Sequence, residues 1–292
     1  MRKLLLISLV CLVAGPVWSE TKPNGLVILH TDYGTDSLYA GALRGAIYTK
    51  FPQARIDTLT NSVPSFDIAT GAYMLMEVCK EFPAGTTFCC VVDPGVGSDR
   101  KCVVLETESG QLFVGPDNGL LSLVAQKYGT VELRECTNRA LWREGKVSHT
   151  FHGRDIFGPV AASLASGTPL EEVGDRIDTL QAIDFGEPRI EGDTISGTVV
   201  RVDSYGNMIT NISYEHLAGM GFKEHDVVKV TIGKTQFEAP LEQAYSAVPK
   251  GQRLGLIQSI GYLEFAVNLG SLSDETEEGA HAPVSVRKKE AK

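Results

Sequence analysis

Past Ser19 the sequence holds no apolar run long enough to span a bilayer, so hydropathy offers no membrane helix in the mature chain. Positive charge is also in short supply: 27 Lys and Arg stand against 36 Asp and Glu, a formal net charge of −9. That balance argues against nucleic acid or an anionic membrane as the main partner. No CxxC spacing occurs, which removes the usual signs of a structural zinc or a dithiol redox centre. Nor does any internal repeat, so a solenoid or propeller is not indicated.

What is present begins with Met1-Arg2-Lys3, the apolar stretch Leu4–Gly15, and Pro16-Val17-Trp18-Ser19-Glu20. Charged, apolar and small-residue zones in that order predict a secretory signal over 1–19, cut near Ser19, and a secreted or periplasmic protein. Losing Arg2 and Lys3 takes the net charge from −9 to −11. Cys79, Cys89, Cys90, Cys102 and Cys136 remain, an odd set that leaves at least one thiol unpaired even in an oxidising compartment. Burial is the favoured reading for most of them, and the adjacent Cys89 and Cys90 should face opposite sides of a strand.

An apolar content of 43% is ordinary for a packed globule, and the length suits one large or two modest domains. Leu26–Leu29, Arg55–Leu59, Thr87–Asp93, Val103–Glu106 and Leu112–Val114 read as strands, several of them apolar on both faces. Leu38–Phe51, Asp67–Glu81, Gly119–Tyr128 and Ile156–Ser166 read as helices, with Asp67 able to cap the second. This alternation predicts an α/β amino-terminal domain over 24–186 with a mostly parallel, covered sheet. After Pro188, short β-type runs at Thr194–Val202, Val227–Ile232, Thr235–Phe237, Arg253–Ile257 and Tyr262–Val267 predict an all-β, barrel-like domain over 190–273. Asp184–Gly192 is the expected join, and the charge-rich segment 274–292 reads as a flexible tail.

Ligands of parallel sheets sit beyond the carboxyl ends of the strands, so the loops there matter most. The first is HTDYGTDS, His30–Ser37. A calcium-type cluster would want carboxylates at His30 and Ser37, so a hard cation would be poorly neutralised. Asp36 reads as the cap of the helix starting at Leu38, while Asp32, nearer the strand end, can cap or accept the two hydroxyls of a ribose. In VVDPGVGSDR a strand delivers Asp93, Pro94-Gly95 turns the chain, Gly97 permits close backbone approach and Arg100 can fold back across the loop; a tight turn alone also accounts for Asp-Pro-Gly. TFHGRDIFGP sets His152 on a turn with Arg154 and Asp155 opening a helix, though a lone histidine is more often structural. Asp117 and Asn118 of GPDNG read as satisfying backbone groups. In RVDSYGNMITNI a hairpin explains Gly206 and an asparagine, but not Asp203, Tyr205, Asn207, Thr210 and Asn211 together.

Taken in order, these motifs resemble the S-adenosylmethionine hydroxide adenosyltransferase family, whose relatives include fluorinating and chlorinating adenosyl transferases. The likeness runs from about Leu26 to Leu272 through TDYG, DIATGAYML, FPAGTTF, VVDPGVG, GPDNGLL, FHGRDIF, DSYGNMITNI and SIGYLEFAVNLGS. It implies an α/β domain followed by a β-barrel, assembled as a homotrimer with active sites between subunits. It also implies a water-handling triad at Asp93, Arg100 and His152; halogenating relatives carry tyrosine at the aspartate and histidine positions and serine where this chain has Gly153. The resemblance assigns ribose binding to Asp32, an aromatic wall to Phe66, contacts near the methionine part to Asp203, Tyr205 and Asn207, and contact with its amino-acid end to Ser259. Halogenating relatives follow that serine with arginine, and this chain has Ile260.

The implied reaction is attack of water oxygen on the 5′ carbon of S-adenosyl-L-methionine, giving adenosine and L-methionine without metal or other cofactor. Hydroxide attacking a sulfonium destroys charge in the transition state, so a dry cleft favours it once binding has brought the ions there. Arg100 would stabilise an incipient hydroxide, and His152 or Asp93 would take or orient the proton. Two other readings compete: a metal-dependent nucleoside hydrolase, and a non-catalytic periplasmic receptor for adenosine-like ligands.

Overall fold

The computed structural model describes residues 21–183 and 186–289. The expected signal segment, and Asp184 and Phe185 of the expected join, lie outside the described residues.

Six strands build the first sheet: β1 (Leu26–Thr31), β2 (Arg55–Thr60), β3 (Thr87–Val91), β4 (Cys102–Glu106), β5 (Leu112–Pro116) and β6 (Glu132–Glu135), in the order β2-β1-β3-β5-β4-β6. β2, β1, β3 and β5 are parallel, and β4 runs antiparallel to both of its neighbours. Four helices cover it: α1 (Leu38–Lys50), α2 (Ile68–Val78), α3 (Ser122–Tyr128) and α4 (Gly158–Ala165). Leu43, Ile47 and Val160 of α1 and α4 pack on one face, Leu75, Met76 and Val124 of α2 and α3 on the other. Coverage on both faces is why β1 and β3 carry consecutive buried, mostly apolar residues rather than an alternation. Cys89 and Cys90 point into opposite cores, and the five described cysteines are free thiols.

Asp67 caps α2, accepting from Thr70 N at 2.9 Å. The cap of α1 is Ser37 rather than Asp36: Ser37 Oγ accepts from Tyr39 N at 3.1 Å. Asp36 lies one residue too early to reach the first free amides of the helix.

The second unit contains β7 (Arg189–Glu191), β8 (Thr194–Val202), β9 (Met208–Ser213), α5 (Tyr214–Gly219), β10 (Val227–Ile232), β11 (Thr235–Glu242), β12 (Arg253–Ile257), β13 (Tyr262–Val267), α6 (Leu272–Thr276) and β14 (Pro283–Lys288). β14-β10-β11-β12-β13-β9-β8 close into a ring because β14 also pairs with β8, and β7 adds outside β8. The segment from Asp274, expected to be a flexible tail, instead completes α6 and supplies the closing strand. Val284 and Val286 enter the barrel core while Pro283 and Arg287 stay exposed, a two-residue alternation too short to stand out among charged neighbours.

The two units share packing. Val200 and Ile209 of the barrel join the core beneath α2, Tyr73 meets Tyr262 edge-on at 5.7 Å, and Arg201 pairs with Glu77 at 2.8 Å. Among the described residues no helix is long and apolar enough to cross a membrane.

Candidate active site

Adjacent parallel strands end at the same edge of their sheet, and β1 and β3 are adjacent. Asp32 therefore leaves β1 beside Asp93, which follows β3. A cleft of about 300 Å³ opens at this edge, bordered by Asp32, Tyr33, Phe66, Asp93, Phe151 and His152. Four of the residues singled out from the sequence thus share one cavity.

Arg100 joins two of them from behind. Its Nε donates to Asp93 Oδ1 at 2.9 Å, and its Nη2 donates to Asp93 Oδ2 and, at 2.8 Å, to His152 Nδ1. Nη1 donates to Cys102 Sγ at 3.1 Å and to the Lys101 carbonyl at 3.4 Å. All five N–H groups of the guanidinium are thereby engaged. The Phe157 ring lies 5.2 Å beneath its charge. Burial opposes that charge, but the hydrogen bonds it donates to Asp93 hold Arg100 protonated more firmly than usual.

Because a guanidinium has no lone pair, His152 Nδ1 must accept, which puts the imidazole proton on Nε2. Burial and the Arg100 charge pull the pKa of His152 below the ordinary value, outweighing Asp93 and Asp155, so the ring is neutral at pH 7.

Backbone contacts fix the two loops against each other. Gly97 has φ +82°, and a Cβ there would stand 2.4 Å from the His149 carbonyl oxygen, so only glycine lets the loops approach. Asn118 Nδ2 donates to the Val92 carbonyl at 2.9 Å, bracing the residue before Asp93. His152 immediately precedes one π-helical turn, Gly153–Phe157, which leads into α4. The fully buried Asp155 in that turn accepts from Arg154 at 2.6 Å and from Ser148 N at 2.8 Å. Burial alone would raise its pKa, but Arg154, the Ser148 amide and Arg143 hold it below the usual carboxylate range. Sequence reading gave Asp155 only a place at a helix start. Its part in holding the His152 loop depends on Ser148 and Arg143, whose proximity no local motif announces.

Asp32 Oδ2 accepts from the Phe66 backbone N–H at 3.0 Å, leaving Oδ1 for a ligand. Phe66 holds a left-handed φ of 68° and is 71% exposed, an arrangement that costs free energy.

The barrel residues lie elsewhere. Asp203 Oδ1 accepts from Tyr205 N and Asn207 N at 2.9 Å, its Oδ2 accepts from Asn207 Nδ2 at 2.9 Å, and the turn leaves Tyr205 76% exposed. Ser259 sits exposed on the turn between β12 and β13. None of Asp203, Tyr205, Asn207 or Ser259 borders the cleft of its own chain. Among the described residues, potential metal-ligand atoms converge at Glu224, His225 and Glu242, and these too lie on the barrel, outside the cleft.

Residues 27–174 match the SAM hydroxide adenosyltransferase N-terminal domain, and residues 197–285 match the C-terminal domain of the same family. The chain belongs to the SAM hydroxide adenosyltransferase family. It is 35% identical over 255 residues to an (R)-S-adenosyl-L-methionine hydrolase of Salinispora tropica, covering 86% of this chain and 94% of that one. The corresponding protein of Methanocaldococcus jannaschii is 33% identical over 251 residues, covering 82% and 88%. A fluorinase of Actinoplanes is more distant, 25% identical over 86% of this chain and 93% of its own. Among solved structures, an uncharacterized conserved protein from Thermotoga maritima superposes with a TM-score of 0.85 at 38% identity, covering 90% of this chain and 99% of that one.

Proposed function

We propose that this protein hydrolyses S-adenosyl-L-methionine to adenosine and L-methionine. The observation that carries the reading is the cleft itself, where Asp93 and His152 are bound to one arginine and face Asp32 across about 300 Å³. Relatives at 33% and 35% identity are named (R)-S-adenosyl-L-methionine hydrolases, which supports it.

In this reading Asp32 holds the ribose hydroxyls and Phe66 walls the adenosyl group. A water oxygen sits at Asp93 and His152. As the oxygen bonds to the 5′ carbon, the carbon–sulfur bond breaks and its electron pair leaves with sulfur, making a neutral thioether. One proton leaves the oxygen as it approaches the 5′ carbon. His152 cannot take it, since Nδ1 is occupied by Arg100 and Nε2 already carries hydrogen. Asp93 can, because each carboxylate oxygen keeps a lone pair beyond the one given to Arg100. His152 Nε2–H then supports the developing hydroxide. Arg100, with every donor engaged, acts by positioning these two groups, which revises the expectation that it would hold hydroxide itself. The sulfonium brings its own leaving group, so the chemistry asks for neither metal nor cofactor.

The other half of the site comes, in this proposal, from a second copy of the chain. The exposure of Phe66 and Tyr205, and of Leu38 at 91% and Leu269 at 79%, supports burial of these surfaces in an assembly, and the trimer implied by the sequence resemblance supplies its form. Export remains proposed on the amino-terminal charge and hydropathy pattern alone.

Incubating the purified mature protein with S-adenosyl-L-methionine, with and without chelator, tests the reading. Adenosine and methionine in equal amounts, indifferent to chelator, are expected. Free base that disappears with chelator would indicate a nucleoside hydrolase, and tight binding without products a receptor.

A further inference from the structure

Tyr33 follows Asp32 directly and borders the cleft, yet the mechanism above gives it no task. Its ring is held firmly, 5.8 Å from the Tyr39 ring and edge-on to Phe151 at 5.9 Å, with its inner side on the core that contains Phe157. Among the described residues its hydroxyl has no hydrogen-bond partner, so the ring is ordered by packing and the polar end is left over.

That polar end reaches the residue next to His152. A Cβ on Gly153 would stand 2.2 Å from Tyr33 Oη, so the bare Cα of Gly153 is what makes room for the hydroxyl. The same oxygen senses the charges of Asp32, Asp93 and Arg100. Burial, reinforced by Cys89 and the two carboxylates, raises the phenol pKa far above its usual value. The group therefore stays protonated and offers a hydrogen. Asp93 is already held on both oxygens by Arg100, which leaves the reacting oxygen as the acceptor in need of support.

We propose that the Tyr33 hydroxyl is a catalytic hydrogen-bond donor to the attacking oxygen, reaching it from the Gly153 side of the cleft. The proposal rests on the hydrolase reading. As the water proton shifts to Asp93, the oxygen gains a third lone pair. Two then accept from His152 Nε2–H and Tyr33 Oη–H, and the third is aimed at the 5′ carbon. Two fixed donors at a developing hydroxide form a small oxyanion site that costs no reorganisation at the moment of attack.

Tyr33→Phe keeps the ring and its packing while removing the donor. It should lower kcat about 100-fold with KM changed by less than about twofold, the signature of an interaction made only in the transition state. A purely structural tyrosine would shift the melting temperature and leave kcat alone. Gly153→Ala supplies the second arm: its Cβ should displace the hydroxyl and cost a similar factor by itself, but cost much less in the Tyr33→Phe background, where the 2.2 Å clash with the hydroxyl is gone and only the 3.3 Å contact with the ring Cζ remains to be relieved. Tyr33→Phe with kcat within about twofold of wild type, or losses from the two substitutions that multiply, would overturn the proposal. Wild-type protein that releases no adenosine and methionine would instead overturn the hydrolase reading beneath it.

Discussion

Arg100 Nη2 stands 2.8 Å from His152 Nδ1, and this one contact decides which imidazole nitrogen carries hydrogen. The same Nη2 also binds Asp93, so a single planar group sets both partners at once. Lysine has no such fork. Arg100→Lys should therefore lower kcat roughly 100-fold or more while circular dichroism stays native. Release of adenosine under saturating substrate is the measurement.

Acid should act through the same contact. Protonating His152 would place hydrogen on Nδ1, against Arg100. Its folded pKa lies below 6.5, so the neutral form persists at pH 7 and is lost only as pH falls through that lowered value. The kcat profile is expected to be level between about pH 7 and 8 and to fall below about 6.5. A decline already under way from pH 8 to 7 would contradict this order of events.

His30 should give stability a pH dependence of its own. It is fully buried, its Nε2 donates to the Gly71 carbonyl at 2.9 Å, and burial lowers its pKa to about 4. The unfolded chain takes up this proton near pH 6.5, but the folded chain waits until about 4. The stabilisation is thus complete above 6.5 and drains away as pH falls toward 4, with about 2 kcal/mol lost by pH 5. Urea titrations at pH 7.5 and 5 should show this difference, and His30→Gln should shrink it.

Phe66 separates binding from folding. Its φ of 68° suits glycine, so Phe66→Gly should leave stability unchanged or raise it by up to ~1 kcal/mol. The cleft loses a wall, and KM should rise. Thermal melts and steady-state kinetics on one preparation check both directions.

Sharing of the site between chains is testable by mixing. Tyr205→Ala is the better barrel variant than Asp203→Ala, because the Asp203 carboxylate accepts three hydrogen bonds that shape its turn. Asp93→Asn and Tyr205→Ala, each inactive alone, should regain part of the activity after subunit exchange. Proven mixing without recovery would place each site within one chain.

The first domain was legible because its sheet is covered on both faces: unbroken apolar runs separated by amphipathic stretches admit few alternatives. Asp32 and Asp93 were legible because parallel strands bring their carboxyl ends to a common edge, whereas His152, on the loop before the π-helical turn, was singled out by the family resemblance. The engagement of every Arg100 donor was not, since it depends on Cys102, Lys101 and His152 meeting one side chain. Tyr33 was hidden for a similar reason. Inside TDYG it looks like core, and its hydroxyl acquires meaning only from the missing side chain at Gly153. Asp36 and Ser37 illustrate a finer limit, where two good capping residues stand together and only the backbone path chooses between them.

The closing strand also bears on how the chain is made. β8 begins at Thr194, but the strand that seals its free edge starts only at Pro283. During synthesis the half-built barrel must therefore wait with β8 and β10 presenting unpaired amides and carbonyls, the state in which strands recruit one another from different molecules. Polypeptides interrupted within that interval should be the ones that precipitate or need a chaperone's hold.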